Sequence, residues 1–503
     1  MGALKLLLAL FLTVFVSAAI GLRTPQLSQS QQCRLQRLTS SQPSQRFESE
    51  GGHFELWNQN EQQFQCAGVA PIRVTIRPNS VHLPSYHPTP KLVYVVQGRG
   101  LMGLHVPGCA ETFSSYSQQQ QGQQQQQPWE QQGQQGQEQY PWEQGQGQGQ
   151  FQGQQSDQNQ KVRYIRQGDV IAIPAGAAHW CANHDNQQNL VVVSVNDLNH
   201  VQNQLDQNLR VFYIGGGQQQ QQFGQQRGQQ GQQQQPGQQW QGQQQPQFGN
   251  IVRGFDSELL AEAMNVPVDT IRKMQREDER GFIVRAQGLE RIIRPTKQEE
   301  QQQWGGQGGQ QQQGGQDNGL EESYCTLKIH TNVDQFGEAD VYTRQAGRLT
   351  VVDRHKLPFL NYMDMSLEKG QLHPNALISP HWTKTGHSII YVVRGDAQVE
   401  TVNYNGQAIM NDRVNQGDMF VVPQFFVSTF RAGQNGFEWV AIKTTGNPKL
   451  NPVSGYTSTI RALPLDVLTH SYQISPADAQ QLKLNSGGHS ILLPSSQSRQ
   501  GPY

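Results

Sequence analysis

Apolar residues come in short bursts along this chain. LVYVV (92–96), VIAIP (170–174), LVVVSV (190–195), SIIYVV (388–393), MFVVP (419–423) and FEWVAIK (437–443) are rich in Val and Ile and bounded by Gly, Pro, Asn or Asp. Bursts of this length and punctuation predict strands of antiparallel sandwiches or barrels. Two stretches follow a helical period instead. FDSELLAEAMNVPVDTIRKMQ (255–275) offers Asp256 as N-cap, and LPLDVLTHSYQISPADAQQL (463–482) offers Ser475, with Pro476 at the first helical position.

The bursts repeat. KLVYVVQGRG (91–100) is answered by SIIYVVRGDA (388–397), and RQGDVIAIPAG (166–176) by NQGDMFVVPQF (415–425). The interval Tyr94–Gln167 is 48 residues longer than Tyr391–Gln416, nearly the length of a glutamine-rich tract at 118–160. That tract is therefore an insertion into one of two equivalent modules. Similar tracts fill 215–249 and 298–318; almost free of aliphatic side chains, they cannot bury enough apolar surface to offset ordering, and are expected to be disordered. The expected map is an all-β-dominated pair of tandem domains, each with a small helical arm. The first spans 33–275 and the second 319–485, with a flexible tail at 486–503. QGRG at 97–100 and its RGD counterpart at 394–396 read as hairpin turns, which removes the adhesion-motif reading of the latter.

At its start the chain carries one lysine, an apolar run from Leu6 to Val16, and then small residues. This is expected to be a secretory signal peptide over about residues 1–20, cut after Ala19 or Gly21. Five cysteines in an oxidising compartment suggest two disulfides and one leftover thiol, and parity leaves open which of Cys33, Cys66, Cys109, Cys181 and Cys325 is the odd one. A formal net charge of −1 gives no electrostatic case for nucleic acid or an anionic membrane as partner.

Gly168, Pro174, Gly176, His179 and Asn183 spell G-x5-P-x-G-x2-H-x3-N, which resembles the second motif of the cupin superfamily. The resemblance implies jelly-roll barrels. In cupin enzymes that histidine joins an H-x-H and a glutamate to hold a metal, since imidazole and carboxylate suit borderline divalent ions. Here Ser85 and His87 stand in the H-x-H places and Lys91 in that of the glutamate. A lysine ammonium has no lone pair to donate, and two histidines are too few for a catalytic metal. In the second module His381, Thr383 and Ser388 take the first-motif places, and Phe425, Ser428 and Ala432 replace the later Gly, His and Asn, so only His381 is expected to be able to bind. No catalytic residue, cofactor or metal is expected. Cys181, two residues after His179, is read as an inert core thiol rather than a nucleophile.

The third tract ends in GGQDNGLEESYCTLKIH (314–330). Asn318-Gly319 is expected to be an exposed dipeptide, where a protease can bind extended chain without unfolding a domain. It is similar to the processing site of legumin-like (11S) seed globulins, cut there by an asparaginyl endopeptidase. SEGGHFELWNQN (49–60), LVYVVQGRG, FDSELLAEAMNV and NPVSGYTSTIRALPLDVL (451–468) carry the same resemblance. It implies a storage role rather than that of a metal-dependent cupin oxygenase or a sugar-binding cupin. It also implies a Cys33–Cys66 disulfide within the heavier chain, a Cys109–Cys325 disulfide joining it to the lighter one, and Cys181 left free. Self-association into precursor trimers and mature hexamers, and deposition in the protein storage vacuole of seed, are further implications. Residues 319–503 hold 15 Lys+Arg and 15 Asp+Glu, so the acidic/basic contrast of the family's two chains is not written in this sequence.

Overall fold

The structure, a computed structural model, describes residues 33, 35–106, 161–217, 248–276, 278–286, 327–485 and 491–495. The expected signal segment, nearly all of the glutamine tracts, and Cys109, Asn318, Gly319 and Cys325 lie outside the described residues.

The predicted strands form, and they curl into two jelly-roll barrels. In the first, one sheet runs in the order Gln45–Ser49, Gly52–Leu56, Val69–Ile76, Leu190–Asp197, Lys91–Gln97, Asp169–Ile173, His330–Asn332. The facing sheet runs Phe212–Tyr213, Ser80–Tyr86, Ala178–Asn183, Arg99–His105, Lys161–Arg166, with Ile283–Arg285 also against Ser80–Tyr86. In the second barrel two long strands, Ser388–Val402 and Val427–Lys443, run through both layers. Continuous apolar runs, rather than strict alternation, are explained by packing on both faces. Leu92, Val95 and Val193 of the first barrel and Ile389, Val421 and Val440 of the second share one buried cluster that spans the contact between barrels.

The hairpin reading of QGRG and RGD is corrected. Lys91–Gln97 and Arg99–His105 belong to different sheets, so Gly98 is a corner between them. Gly395 is a bend inside a single strand. Both glycines take positive φ, +85° and +76°, and a Cβ would meet the carbonyl oxygens of Asn189 at 2.4 Å and Gly436 at 2.1 Å. Asp396 of the RGD triplet is engaged by Arg413 at 2.7 Å.

Both helix caps stand where the sequence places them. Asp256 accepts from the backbone N–H groups of Glu258 and Leu259, and Ser475 from that of Asp478. The two arms, Ser257–Met264 with Val268–Met274 and Leu465–Tyr472 with Pro476–Leu484, leave Leu259, Met264, Leu482 and Leu484 exposed.

Domain boundaries differ from the expected map because each barrel borrows a piece of chain that precedes the other. Ser41 bridges to Met419, and Leu38 donates its N–H to Ile409, so the segment before the first barrel pairs with the second. Reciprocally, His330–Asn332 pairs with Asp169–Ile173 of the first barrel. The two clasps use one chemistry. In each Gln-Gly-Asp turn the aspartate accepts a nearby backbone N–H, Arg166 to Asp169 at 2.7 Å and Asn415 to Asp418 at 2.8 Å. Each also accepts a side-chain amide from the borrowed segment, Asn332 to Asp169 and Gln42 to Asp418, both at 2.6 Å. Ile283–Arg285 lies beyond the expected end of the first domain yet pairs within it, and Leu492–Leu493, expected in a flexible tail, pairs with Leu377–Thr383.

Candidate metal centres in the two barrels

Strands Ser80–Tyr86 and Ala178–Asn183 place Ser85 opposite His179 and His82 opposite Cys181. His87 follows the first of these strands, and Lys91 begins Lys91–Gln97 opposite Asn196. His87, His179 and Lys91 are all buried. The imidazole ring centres of His87 and His179 are 5.6 Å apart, and Lys91 Nζ lies 3.0 Å from His87 Nε2. His179 Nδ1 sits 3.2 Å from the Ala177 carbonyl, so it donates there and leaves Nε2 as the ring's acceptor. Burial, and then the charge of Lys91, hold both imidazoles well below the ordinary histidine range. Burial in turn brings the lysine down to about 7.

The residues of the first barrel do not fit a metal. An ammonium stands where the anionic ligand would be, and it already occupies the lone pair of one of the two histidines. Among the described residues no three His, Cys, Asp or Glu side chains of this barrel interior bring ligand atoms together. Cys181 carries no disulfide, and burial pushes its thiol up to about 12, which keeps the nucleophilic thiolate scarce.

The second barrel solves the same interior differently. The residue opposite Ser388 is Lys443, just as Asn196 is opposite Lys91, so the buried cation has crossed to the neighbouring strand. There Lys443 Nζ lies 3.1 Å from Glu368 and 3.1 Å from Ser388 Oγ. His381 Nδ1 lies 2.8 Å from the Ser379 carbonyl. Glu368 faces the same small cavity as His381, Thr383 and Ser388. The expectation that His381 alone could bind there is therefore corrected. Glu368 is a second ligand type, and its neutralisation by Lys443 removes the charge that would draw a cation. The signal was present as the adjacent Glu368 and Lys369, both buried in the strand Ser366–Leu372. Ser428, opposite His381, bonds to Thr401 and to the Glu400 carbonyl, and Ala432 is buried. Phe425 takes φ +67°, the backbone state of its counterpart Gly176, and its ring is exposed.

The chain matches the Cupin family over residues 38–218 and 334–480. It is 53% identical to the 11S globulin seed storage protein 2 of Sesamum indicum over 495 residues, 98% of each chain. The chain is an 11S, legumin-like globulin of the cupin superfamily. Solved 11S structures agree. Procruciferin of Brassica napus superposes with a TM-score of 0.73 at 33% identity, covering 93% of this chain and 99% of its own. The coconut allergen cocosin gives 0.72 at 33% identity over 92% and 100%.

Of the globulin's sequence-predicted site residues, Cys33 and Cys66 are joined in a disulfide and Cys181 is a free thiol. Asn318, Gly319, Cys109 and Cys325 fall outside the described residues.

Proposed function

We propose that this globulin is a seed reserve of nitrogen, made as a secretory precursor and held in the protein storage vacuole. The observation that carries the reading is 53% identity over nearly the full length to a seed storage globulin, joined to a first barrel that holds Lys91 where a metal would need a carboxylate and a second whose Glu368 is neutralised by Lys443. Glutamine adds a second nitrogen without charge, and the tracts load it into segments that the barrels need not accommodate. A scaffold that performs no chemistry can accumulate to high density without side reactions, so the chain is not an enzyme and uses no cofactor.

In this reading an asparaginyl endopeptidase cuts after Asn318, and a Cys109–Cys325 disulfide keeps the heavy and light chains together. Precursor trimers meet through the helical arms, whose exposed Leu259, Met264, Leu482 and Leu484 favour burial against a neighbouring copy. Release of the chain end at 318 then lets two trimers stack as a hexamer. Quantification through the life of the seed tests the role. The protein should rise to a major fraction of seed protein during maturation and disappear after germination; a low, constant level through both would overturn it.

A further inference from the structure

The disulfide Cys33–Cys66 lies at the junction of the two halves of the molecule. Cys66 is buried near the end of the helix Gln62–Ala67, and both sulfurs pack against the core of the second barrel. The imidazole of His387, the residue just before the long strand Ser388–Val402 of that barrel, comes to the same place. One ligand atom from each of Cys33, Cys66 and His387 lies within 4.8 Å of the others, and no other such group of His, Cys, Asp or Glu occurs among the described residues.

We propose that reduction of this disulfide unmasks a binding site for a thiophilic divalent cation, zinc being the biological form, with Cys33, Cys66 and His387 as its protein ligands. In the oxidised protein the sulfurs spend their bonding on each other. A dithiol reductant delivers two electrons and two protons, breaking the S–S bond and becoming a disulfide itself. The cation then displaces the two thiol protons to solvent. Two thiolates and a neutral imidazole balance a divalent charge, as a partly buried site requires, and leave a fourth position open.

The geometry is close to what such a site needs. The Cα atoms of Cys33 and Cys66 are 4.8 Å apart, so both side chains can reach one ion. Zn–S bonds of about 2.3 Å put tetrahedral sulfurs roughly 3.8 Å apart, which asks only for small rotamer changes once the S–S bond is gone. His387 is positioned by its own backbone N–H to Thr444 Oγ1 at 3.0 Å, and its Nδ1 lone pair accepts a long 3.3 Å bond from the Gln424 N–H, which an incoming ion has to displace. Because Cys33 and Cys66 precede residue 318 and His387 follows it, the bound ion would tie the two proposed chains together where the disulfide had tied only one to itself.

Cobalt titration of the reduced full-length chain tests this, in a Cys109→Ser/Cys181→Ser/Cys325→Ser background that leaves only the two cysteines of interest. After anaerobic reduction and removal of the reductant, about one Co2+ per subunit should bind, with a thiolate-to-cobalt charge-transfer band and tetrahedral d–d absorption, and zinc should displace it. The oxidised protein should show neither. His387→Ala, which leaves the disulfide intact for a check of folding in the oxidised state, should weaken cobalt at least about ten-fold and change the d–d spectrum. Absence of the charge-transfer band in the reduced protein would overturn the site. An unchanged affinity and spectrum in His387→Ala would overturn the assignment of its third ligand.

Discussion

Lys91 shows how one residue changes what a barrel can do. Its ammonium is buried, finds an imidazole rather than a carboxylate, and is brought down to about 7 by burial. The unfolded chain holds its lysine proton up to about 10.5, so between these values the unfolded state binds more protons and stability rises with pH. Lys91→Met should remove that rise and, by deleting a charge without a counter-charge, stabilise the fold at pH 6 by about 1–3 kcal/mol, read as a higher midpoint in guanidinium unfolding. The histidines act on the acid side. His82, His87, His179, His381 and His387 are all lowered by burial, so the unfolded chain takes up protons through 6.5 while the folded chain does not, and stability falls as pH drops below that. Asp197, raised to about 7, opposes this with a single proton, so thermal midpoints should still fall from pH 7 to pH 5, and less steeply in His179→Gln. Metal analysis after dialysis should give well under one divalent ion per subunit in the oxidised protein, whereas Lys91→Glu should bind zinc between His87 and His179. One tightly held ion in the unaltered protein would contradict the reading of its barrel.

Individual elements were legible in the sequence where a local signal makes them. The Val/Ile bursts became strands, and Asp256 and Ser475 cap their helices, because propensity and capping act within a few residues. The Gly98 and Gly395 corners were misread, since a jelly-roll corner and a hairpin both ask for a glycine at positive φ and differ only in which distant strand pairs next. Gly395→Ala should cost about 1–3 kcal/mol, from the backbone state and the clash with the Gly436 carbonyl, measured by denaturant unfolding. Glu368 escaped notice for a similar reason. Its partner Lys443 lies on a strand 75 positions later in the chain, and no periodicity links the two.

The reciprocal clasp belongs to the whole molecule, and the repeat signal pointed to it without revealing it. Both modules carry Gln-Gly-Asp, but the partners of the aspartates, Gln42 and Asn332, are on short edge segments with no strand pattern. The same pseudo-symmetry governs the contact between barrels. Arg73, held by Glu55 at 2.7 Å, lies beside Tyr391, and its counterpart Lys369, held by Asp334 at 2.8 Å, lies 5.8 Å from the Tyr94 ring centre. With segments exchanged in both directions and one core shared, cleavage after Asn318 should not separate the pieces. In native buffer with reductant the two chains should co-elute on gel filtration, and Asp169→Ala with Asp418→Ala should lower the denaturant concentration at which they part.

The proposed processing at the border after the third glutamine tract would join sequence, assembly and storage in one event, and electrophoresis in denaturant, with and without reductant, tests it most directly. Without reductant the mature protein should run as one species of about 50–60 kDa, because only covalent links survive denaturant. With reductant it should split into chains of roughly 30–35 and 20 kDa, the smaller beginning Gly319-Leu320-Glu321-Glu322. A single chain in both lanes, two chains separating without reductant, or a light chain beginning elsewhere would contradict the account.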